Sequence, residues 1–487
     1  MTSNHMPLTR PGAPWAPAVG FVFLVPFMLA VIIEPSFFLV SLAAGALAVM
    51  TVPLLRTRKI DWFSPWNWMF YAVFLSVFLR SIYITFDIPD AFTIQYVFLH
   101  DESKEFLLWP MVLVLLGLCC MTLGYLAGPR VSRKISYKIF QSDDWAENRF
   151  WVVVFILQLL SFIGLYLYIK NTAGQISMEN ISSHRGISAD LNEYNSYSYL
   201  RWLISLSEIV SCLLVARIIS ERRFHFKKIV AFLAFLISTA TMLFFSFFSQ
   251  TRSGFAVWFL NIVGIIYYLR NKKLPLFKII PLFIFVLVSV RYMTGLRGGS
   301  GFDQFSLSNF NMIRLFEPSI LSTNGIDVSK TAHIMAAIPK YLDYQYGATL
   351  LRIVYLWIPR QIWPAKPVTV DTTVGMAVFG AKTYGAGAVP PGLIAEMYWN
   401  FWIPGIIVGC FAVGYLLKII YTQFRRYDTN RNIVILYVTC FMSMGGGFMG
   451  SGFSSELMGF LMTFLPSIIV LHIITKRGKY IPDKVLF

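Results

Sequence analysis

The chain has 487 residues, 57% hydrophobic and 13% charged, with a formal net charge of +17 and a mean hydropathy of +0.64. Soluble domains carry about 25% charged residues, so this composition excludes an ordinary soluble protein and points to one embedded in a bilayer. The basic excess does not imply nucleic acid: Lys and Arg fall mostly in short links between apolar stretches, where positive charge sets topology, and no nucleic-acid-binding motif accompanies them.

In chain order, Met1 to Pro17 leads into an apolar run from Val19 to Ile33, then Glu34-Pro35-Ser36 and a second run. No small-residue cleavage site separates them, so the first run reads as a retained helix rather than a signal peptide. A span needs about 20 predominantly apolar residues. Such segments occur at approximately 15–33, 36–55, 66–86, 106–127, 150–169, 199–219, 228–248, 254–270, 274–293, 393–418, 432–448 and 454–475. The expected fold is an all-α polytopic membrane protein of about twelve transmembrane helices. All five cysteines, Cys119, Cys120, Cys212, Cys410 and Cys440, lie within these spans, which argues against a disulfide framework and against metal ligation by Cys.

Positive charge decides orientation. With the amino terminus inside, alternate links carry Arg56, Arg58 and Lys59; Arg130, Arg133, Lys134, Lys138 and Arg149; Arg217, Arg222, Arg223, Lys227 and Lys228; Arg270, Lys272, Lys273 and Lys278; Lys418, Arg425, Arg426 and Arg431; and Lys476, Arg477, Lys479 and Lys484. The short outer links hold only Lys104, Lys170, Arg185 and Arg252. Both termini are therefore expected in the cytoplasm.

The interval from Arg291 to Asn400 cannot cross a bilayer: it is too polar, too rich in Pro and Gly, and interrupted by charge. A loop this long is either disordered or functional, and its Trp, Tyr and Ile content argues for order. The chain thus divides into spans over 1–293, a large outer loop over 294–392, and spans plus a tail over 393–487. Lys330 to Tyr346 and Ala348 to Ile362 have helix-like apolar spacing, which predicts amphipathic helices along the outer face; Pro359 and Pro364 end the second.

With that topology Arg80, Arg201, Arg252, Arg291 and Glu396 fall near one membrane level. Charge at bilayer depth is costly and lines a cavity or finds a partner, so the expectation is a basic outer pocket with a carboxylate in its wall. Ser249-Gln250-Thr251-Arg252-Ser253-Gly254 is a tight polar turn, either a phosphate-binding fork with hydroxyls around it or a hairpin whose Arg snorkels. Arg291 and Arg297 stand among Gly295, Gly298, Gly299 and Gly301, which either present backbone N–H groups to an anion or make a flexible exit. Glu396 lies one turn before Asn400 on the same face, as a general base or a structural partner of an arginine. His333 is a second candidate base; a lone His in such a segment is more often a packing residue. Asp87, Asp90, His100, Asp101, Glu102 and Glu105 make an acidic outer link without compact metal-ligand spacing. Glu208, deep in a span, suits ion coupling in a transporter or charge neutralisation. Gly445-Gly446-Gly447 lacks the Lys-Ser or Lys-Thr of a phosphate loop and suits close helix approach.

Three stretches carry a family resemblance: the Thr251-Arg252-Ser253-Gly254 turn; the run from Ile358-Pro359-Arg360 to Trp363-Pro364-Ala365-Lys366-Pro367; and the run from Val389-Pro390-Pro391-Gly392 to Glu396-Met397-Tyr398-Trp399-Asn400-Phe401. With the many-span architecture and one large loop, the chain resembles the bacterial O-antigen polymerases, the (Wzy-type) oligosaccharide repeat-unit polymerases; Trp402 stands where that family usually has a small residue. The resemblance implies a GT-C-like glycosyltransferase of the bacterial inner membrane that needs no cofactor or metal, with an ordered periplasmic loop. It would join undecaprenyl-diphosphate-linked repeat units into O-antigen, capsule or exopolysaccharide. Its expected partners are those lipid-linked oligosaccharides, membrane lipids, a chain-length regulator and a flippase. On this reading Arg252, Arg291, Arg297 and Arg360 hold the diphosphate, Arg80, Arg185, Tyr398 and Asn400 hold the oligosaccharide, and Glu396 or His333 takes the proton. An O-antigen ligase and a lipid-linked oligosaccharide flippase are the rival readings.

Overall fold

The computed structural model describes residues 36–55, 60–86, 104–130, 135, 137–172, 198–221, 226–248, 252–270, 281, 284–291, 320, 325–358, 362–380 and 388–476. The expected first span and most of 274–293 lie outside them, as do Arg185, Arg297 and Arg360. The named elements among the described residues are all helical. They are α1 Ser36–Leu55, α2 Pro65–Thr85, α3 Leu108–Ala127, α4 Glu147–Thr172, α5 Ser198–Ser220, α6 Phe226–Phe248 and α7 Arg252–Leu269. After the long interval, which contains α8 Val328–Ala337 and α9 Val370–Ala377, come α10 Leu393–Arg425, α11 Arg431–Gly450 and α12 Phe453–Ile474.

Nine of these helices are long and apolar enough to cross a membrane, and α7 is a shorter apolar helix. Each described span agrees in place with the apolar segment that predicts it, because about 20 apolar residues can satisfy their backbone groups in lipid only as a helix. Twelve spans therefore stand as nine among the described residues.

The ends of the helices are set locally. Ser64 accepts from the N–H of Asn67 at 3.2 Å and Pro65 follows it at the first helical position, where its missing N–H costs nothing. Asn430 does the same for α11 through Ile433 at 3.2 Å. The side chains pack into two main cores. One joins α1, α2, α3, α8, α9, α10 as far as Leu417 and the end of α11. The other joins α4 to α7, Val286, and parts of α10, α11 and α12. The tightest approach is α3 on α10: a Cβ at Gly124 would strike the carbonyl of Phe411, and one at Gly414 the carbonyl of Met121, so the two backbones touch because both residues are Gly. Gly445 meets the backbone of Pro65 in the same way, at 2.6 Å for an added Cβ, as expected for close helix approach.

Polar contacts show which helix ends share a face. Away from the long interval, Asp61 between α1 and α2 accepts from Tyr268 at the end of α7 at 3.0 Å and from Tyr421 near the end of α10 at 2.9 Å, with Arg425 at 3.8 Å. Burial pushes the Asp61 carboxyl above its ordinary value. Trp145 donates to Asn432 of α11 at 2.7 Å, and Asn432 donates to Thr475 just after α12 at 2.9 Å. The ends tied here belong to the links richest in Lys and Arg, so alternation of the spans is consistent with the charge pattern.

Candidate functional site

The opposite face is covered by the long interval, which is built differently from the expected surface helices. α8 ends at Ile338-Pro339, because Pro lacks an N–H and disfavours helical backbone in the residue before it. Nine of its residues, including Ser329, Lys330 and His333, are buried. Its polar side chains face the protein interior, so an amphipathic pattern here does not mean a helix on the surface. The second expected helix is two single turns, Ala348–Leu351 and Ile353–Leu356. These expose Leu351 and Val354 and bury Arg352, whose Nη1 donates to the carbonyl of Val368 at 2.6 Å.

Beneath this cover, charges from five stretches of chain converge. α2 contains a π-helical turn, Phe74–Leu79, immediately before Arg80, a local irregularity that often accompanies function. Ser76 in it accepts from the N–H of Ile326 at 3.1 Å, drawing the interval onto α2. Arg80 then pairs with Asp327 at 3.1 Å, the two side chains only 4% and 0% exposed. Asp327 also accepts from the N–H of Lys330 at 3.1 Å and caps α8. Lys330 is fully buried and donates to the carbonyl of Gly325 at 3.3 Å. Its desolvation outweighs the pull of Asp327 and holds its ammonium at about 8. Lys330 in turn acts on Asp371 of α9, whose carboxyl is raised chiefly by burial.

Glu396, in the first turn of α10, is 0% exposed. The entry to that helix is the Val389-Pro390-Pro391-Gly392 turn: Gly392 has φ 76° and an added Cβ would stand 2.7 Å from the carbonyl of Met449, so only Gly fits. α12 begins at Gly452, which has no capping side chain, and Glu396 Oε2 takes the N–H of Phe453 at 2.6 Å in its place. A carboxylate at a helix amino end is favoured by the dipole. The Thr349 hydroxyl stands beside this carboxylate, yet Glu396 Oε1 has no partner in hydrogen-bond geometry among the described residues. The same holds for Asp371 Oδ1, Ser329 Oγ, and the Nε and Nη1 of Arg80. Such buried orphans are rare and each requires a reason. Here five gather in one charged network, and the others among the described residues are scattered along the spans.

The remaining expected residues have more settled places. Asn400 is fully buried: its Oδ1 accepts from Gly347 N at 2.8 Å, and its Nδ2 donates to Thr349 Oγ1 at 2.6 Å and to the carbonyl of Glu396 at 2.8 Å. It fixes the Gln345–Thr349 turn on α10 and positions Glu396 rather than presenting an amide to a ligand. Tyr398 accepts from Trp402 Nε1 at 3.1 Å, just before the break in α10 at Phe401 and Trp402, where Trp402 has φ 56°. His333 Nδ1 lies 2.7 Å from the carbonyl of Ser329, so that nitrogen carries the proton, and the ring rests between Phe106 and Phe379. Burial lowers its pKa. This is chiefly the setting of a packed histidine.

Arg252 begins α7 and Arg291 ends the described 284–291 stretch, whose Val286 and Val290 belong to the other core. Arg201 donates to Tyr168 at 3.0 Å beside a third, small cluster. Of the residues expected at a single level of charge, Arg80 and Glu396 belong to this network, and Arg201 lies elsewhere beside Tyr168. Sequence reasoning missed Asp327, Lys330, Arg352 and Asp371. The available signal was their spacing within an interval too ordered in composition to be a linker. No family model, curated protein or solved structure matches the chain.

Proposed function

We propose that the chain is a glycosyltransferase that polymerises undecaprenyl-diphosphate-linked oligosaccharide repeat units, with the long interval at the periplasmic face of a bacterial inner membrane. The observation that carries this reading is the network of Arg80, Asp327, Ser329, Lys330, Arg352, Asp371 and Glu396 under a folded cap, with five buried, orphaned polar atoms in it. A sugar diphosphate needs fixed cations where charge develops on the leaving group, and the attacking hydroxyl needs a proton acceptor. In this assignment Arg252, Arg291, Arg297 and Arg360 stabilise the diphosphate, Arg80 holds the oligosaccharide, and Glu396 accepts the proton. The GT-C-like architecture and the partners named for it, a chain-length regulator and a flippase, belong to the same reading.

Purified protein given lipid-linked repeat units is expected to make ladders of polymer that persist in EDTA. Arg252→Ala should abolish them while leaving expression intact. A deletion strain should carry single-repeat caps; loss of all repeats, with polymer retained on its lipid, would identify a ligase instead. One observation favours the transporter reading: Glu208, an ionisable residue within α5 of the kind that lines ion pathways, accepts from the amide of Asn261 of α7 at 2.6 Å. Substrate-driven proton movement in proteoliposomes without polymer would support that alternative.

A further inference from the structure

Asp371 and Glu396 arrive at one place from different parts of the chain. Asp371 is carried by α9, whose cap Thr369 accepts from the N–H of Thr372; its own carbonyl takes the N–H of Val389 at 2.9 Å and so ties α9 to the turn that opens α10. Gly452, at the amino end of α12, sits between the two carboxylates: a Cβ built there would lie 3.0 Å from Asp371 Oδ1 and 3.6 Å from Glu396 Oε2. Each carboxylate keeps one buried oxygen without a hydrogen-bond partner among the described residues, Asp371 Oδ1 and Glu396 Oε1. Ion pairing does not account for both. The cations acting on Asp371 are Lys330 and Arg352, and on Glu396 only Arg352, whose Nη1 is committed to the Val368 carbonyl. Two carboxylates this close repel, and a buried carboxylate oxygen left unpaired costs the desolvation of that group. A ligand bearing two hydroxyl donors answers both, since a carboxylate is an acceptor on each oxygen. An anion does not.

We propose that Asp371, Gly452 and Glu396 form the acceptor-sugar subsite, in which Asp371 Oδ1 binds one hydroxyl of the terminal sugar and Glu396 Oε1 takes the proton of the neighbouring, attacking hydroxyl. This rests on the reading of the chain as a polymerase. The balance of the step is simple. The acceptor oxygen forms a bond to the anomeric carbon of the donor, the bond from that carbon to the diphosphate oxygen breaks, the electron pair leaves with the diphosphate, and the acceptor proton goes to Glu396. Asp371 stays chemically unchanged. Gly452, lacking a Cβ, lets Asp371 Oδ1 and Glu396 approach the same point, and the N–H of Phe453 holds Glu396 Oε2 so that Oε1 faces the ligand.

The test uses full-length protein in lipid nanodiscs. The donor is the lipid-linked single repeat unit extracted from a deletion strain, and the acceptor is the free oligosaccharide released from that lipid by mild acid. Asp371→Asn is expected to raise the acceptor KM by about tenfold to a hundredfold, the loss of one charge-assisted hydrogen bond, with kcat much less affected. Glu396→Gln should lower kcat and leave KM nearly unchanged. Gly452→Ala, which keeps both carboxylates, should raise KM as Asp371→Asn does, and it carries the test if Asp371→Asn fails to fold. An unchanged acceptor KM in a folded Asp371→Asn or Gly452→Ala protein overturns the subsite while polymerisation stands. Wild-type protein that makes no polymer from these substrates overturns the polymerase reading and the subsite with it.

Discussion

Replacing Asp327 by Ala removes two things at once from the buried network. It deletes the cap of α8, the 3.1 Å acceptor for Lys330 N, worth about 1 kcal/mol. It also strands the Arg80 guanidinium, paired with Asp327 at 3.1 Å and 4% exposed; removing one partner of a buried pair costs about 3–5 kcal/mol. Since both contributions pass through one carboxylate they overlap, and a combined loss of about 4 kcal/mol is expected. That loss falls first on α8, the element that Asp327 caps and ties to Arg80 of α2. Hydrogen exchange of the α8 amides should therefore accelerate about a thousandfold, with little change in α10 beyond its break at Trp402. Asp327→Asn retains the cap acceptor and should lose about 1 kcal/mol less than the Ala variant. Arg80→Met added to Asp327→Asn should recover part of the loss, because it removes the stranded guanidinium charge. Acceleration below about fivefold in Asp327→Ala, or strictly additive effects in the double variant, would refute the pairing as the anchor of the cap.

Asn400→Ala removes three hydrogen bonds and leaves Gly347 N and Thr349 Oγ1 without their partner; a loss of about 2–4 kcal/mol is expected, read as faster exchange at Gly347 and Ala348, and unchanged exchange there would contradict its positioning role. Gly392→Ala places a Cβ 2.7 Å from the Met449 carbonyl at φ 76°, which costs about 1–3 kcal/mol in backbone strain alone, so the yield of folded protein on gel filtration should fall, whereas Gly392→Ala at wild-type yield would mean that the turn is loose. Lys330 supplies a pH test. Its folded pKa is lowered to about 8 from 10.5, so between those values the unfolded chain binds more protons and stability rises with pH. About 3 kcal/mol should be gained across that window, and Lys330→Met should flatten that part of the Tm profile; an identical slope in the variant would show that Lys330 is not held in this state.

The described spans were legible in the sequence because the bilayer leaves the backbone one choice. Some 20 apolar residues that cannot bond to water must close their own hydrogen bonds, and the Lys and Arg of alternate links follow from the cost of carrying charge across. The Pro390-Pro391-Gly392 turn and the place of Glu396 in the first turn of α10 were readable for a local reason too, since a Pro-Pro-Gly turn before an intramembrane carboxylate is a short-range pattern. The long interval was not. Its spacing suggested helices lying on a surface, but Ser329, Lys330 and His333 face inward, and amphipathic periodicity records two unlike faces without saying whether the polar one meets water or other buried charge. Asn400 looked like a ligand and is the clamp of a turn more than fifty residues earlier in the chain. Whether Asp371, between Val370 and Thr372 in an unremarkable stretch, matters at all depends on α9, the opening of α10 and the amino end of α12 meeting at Gly452. Sequence by itself determined where the chain is apolar enough to enter the membrane; only tertiary packing decided which distant charges meet, because pairing between them is set by the folding of the intervening chain and not by anything local to either residue.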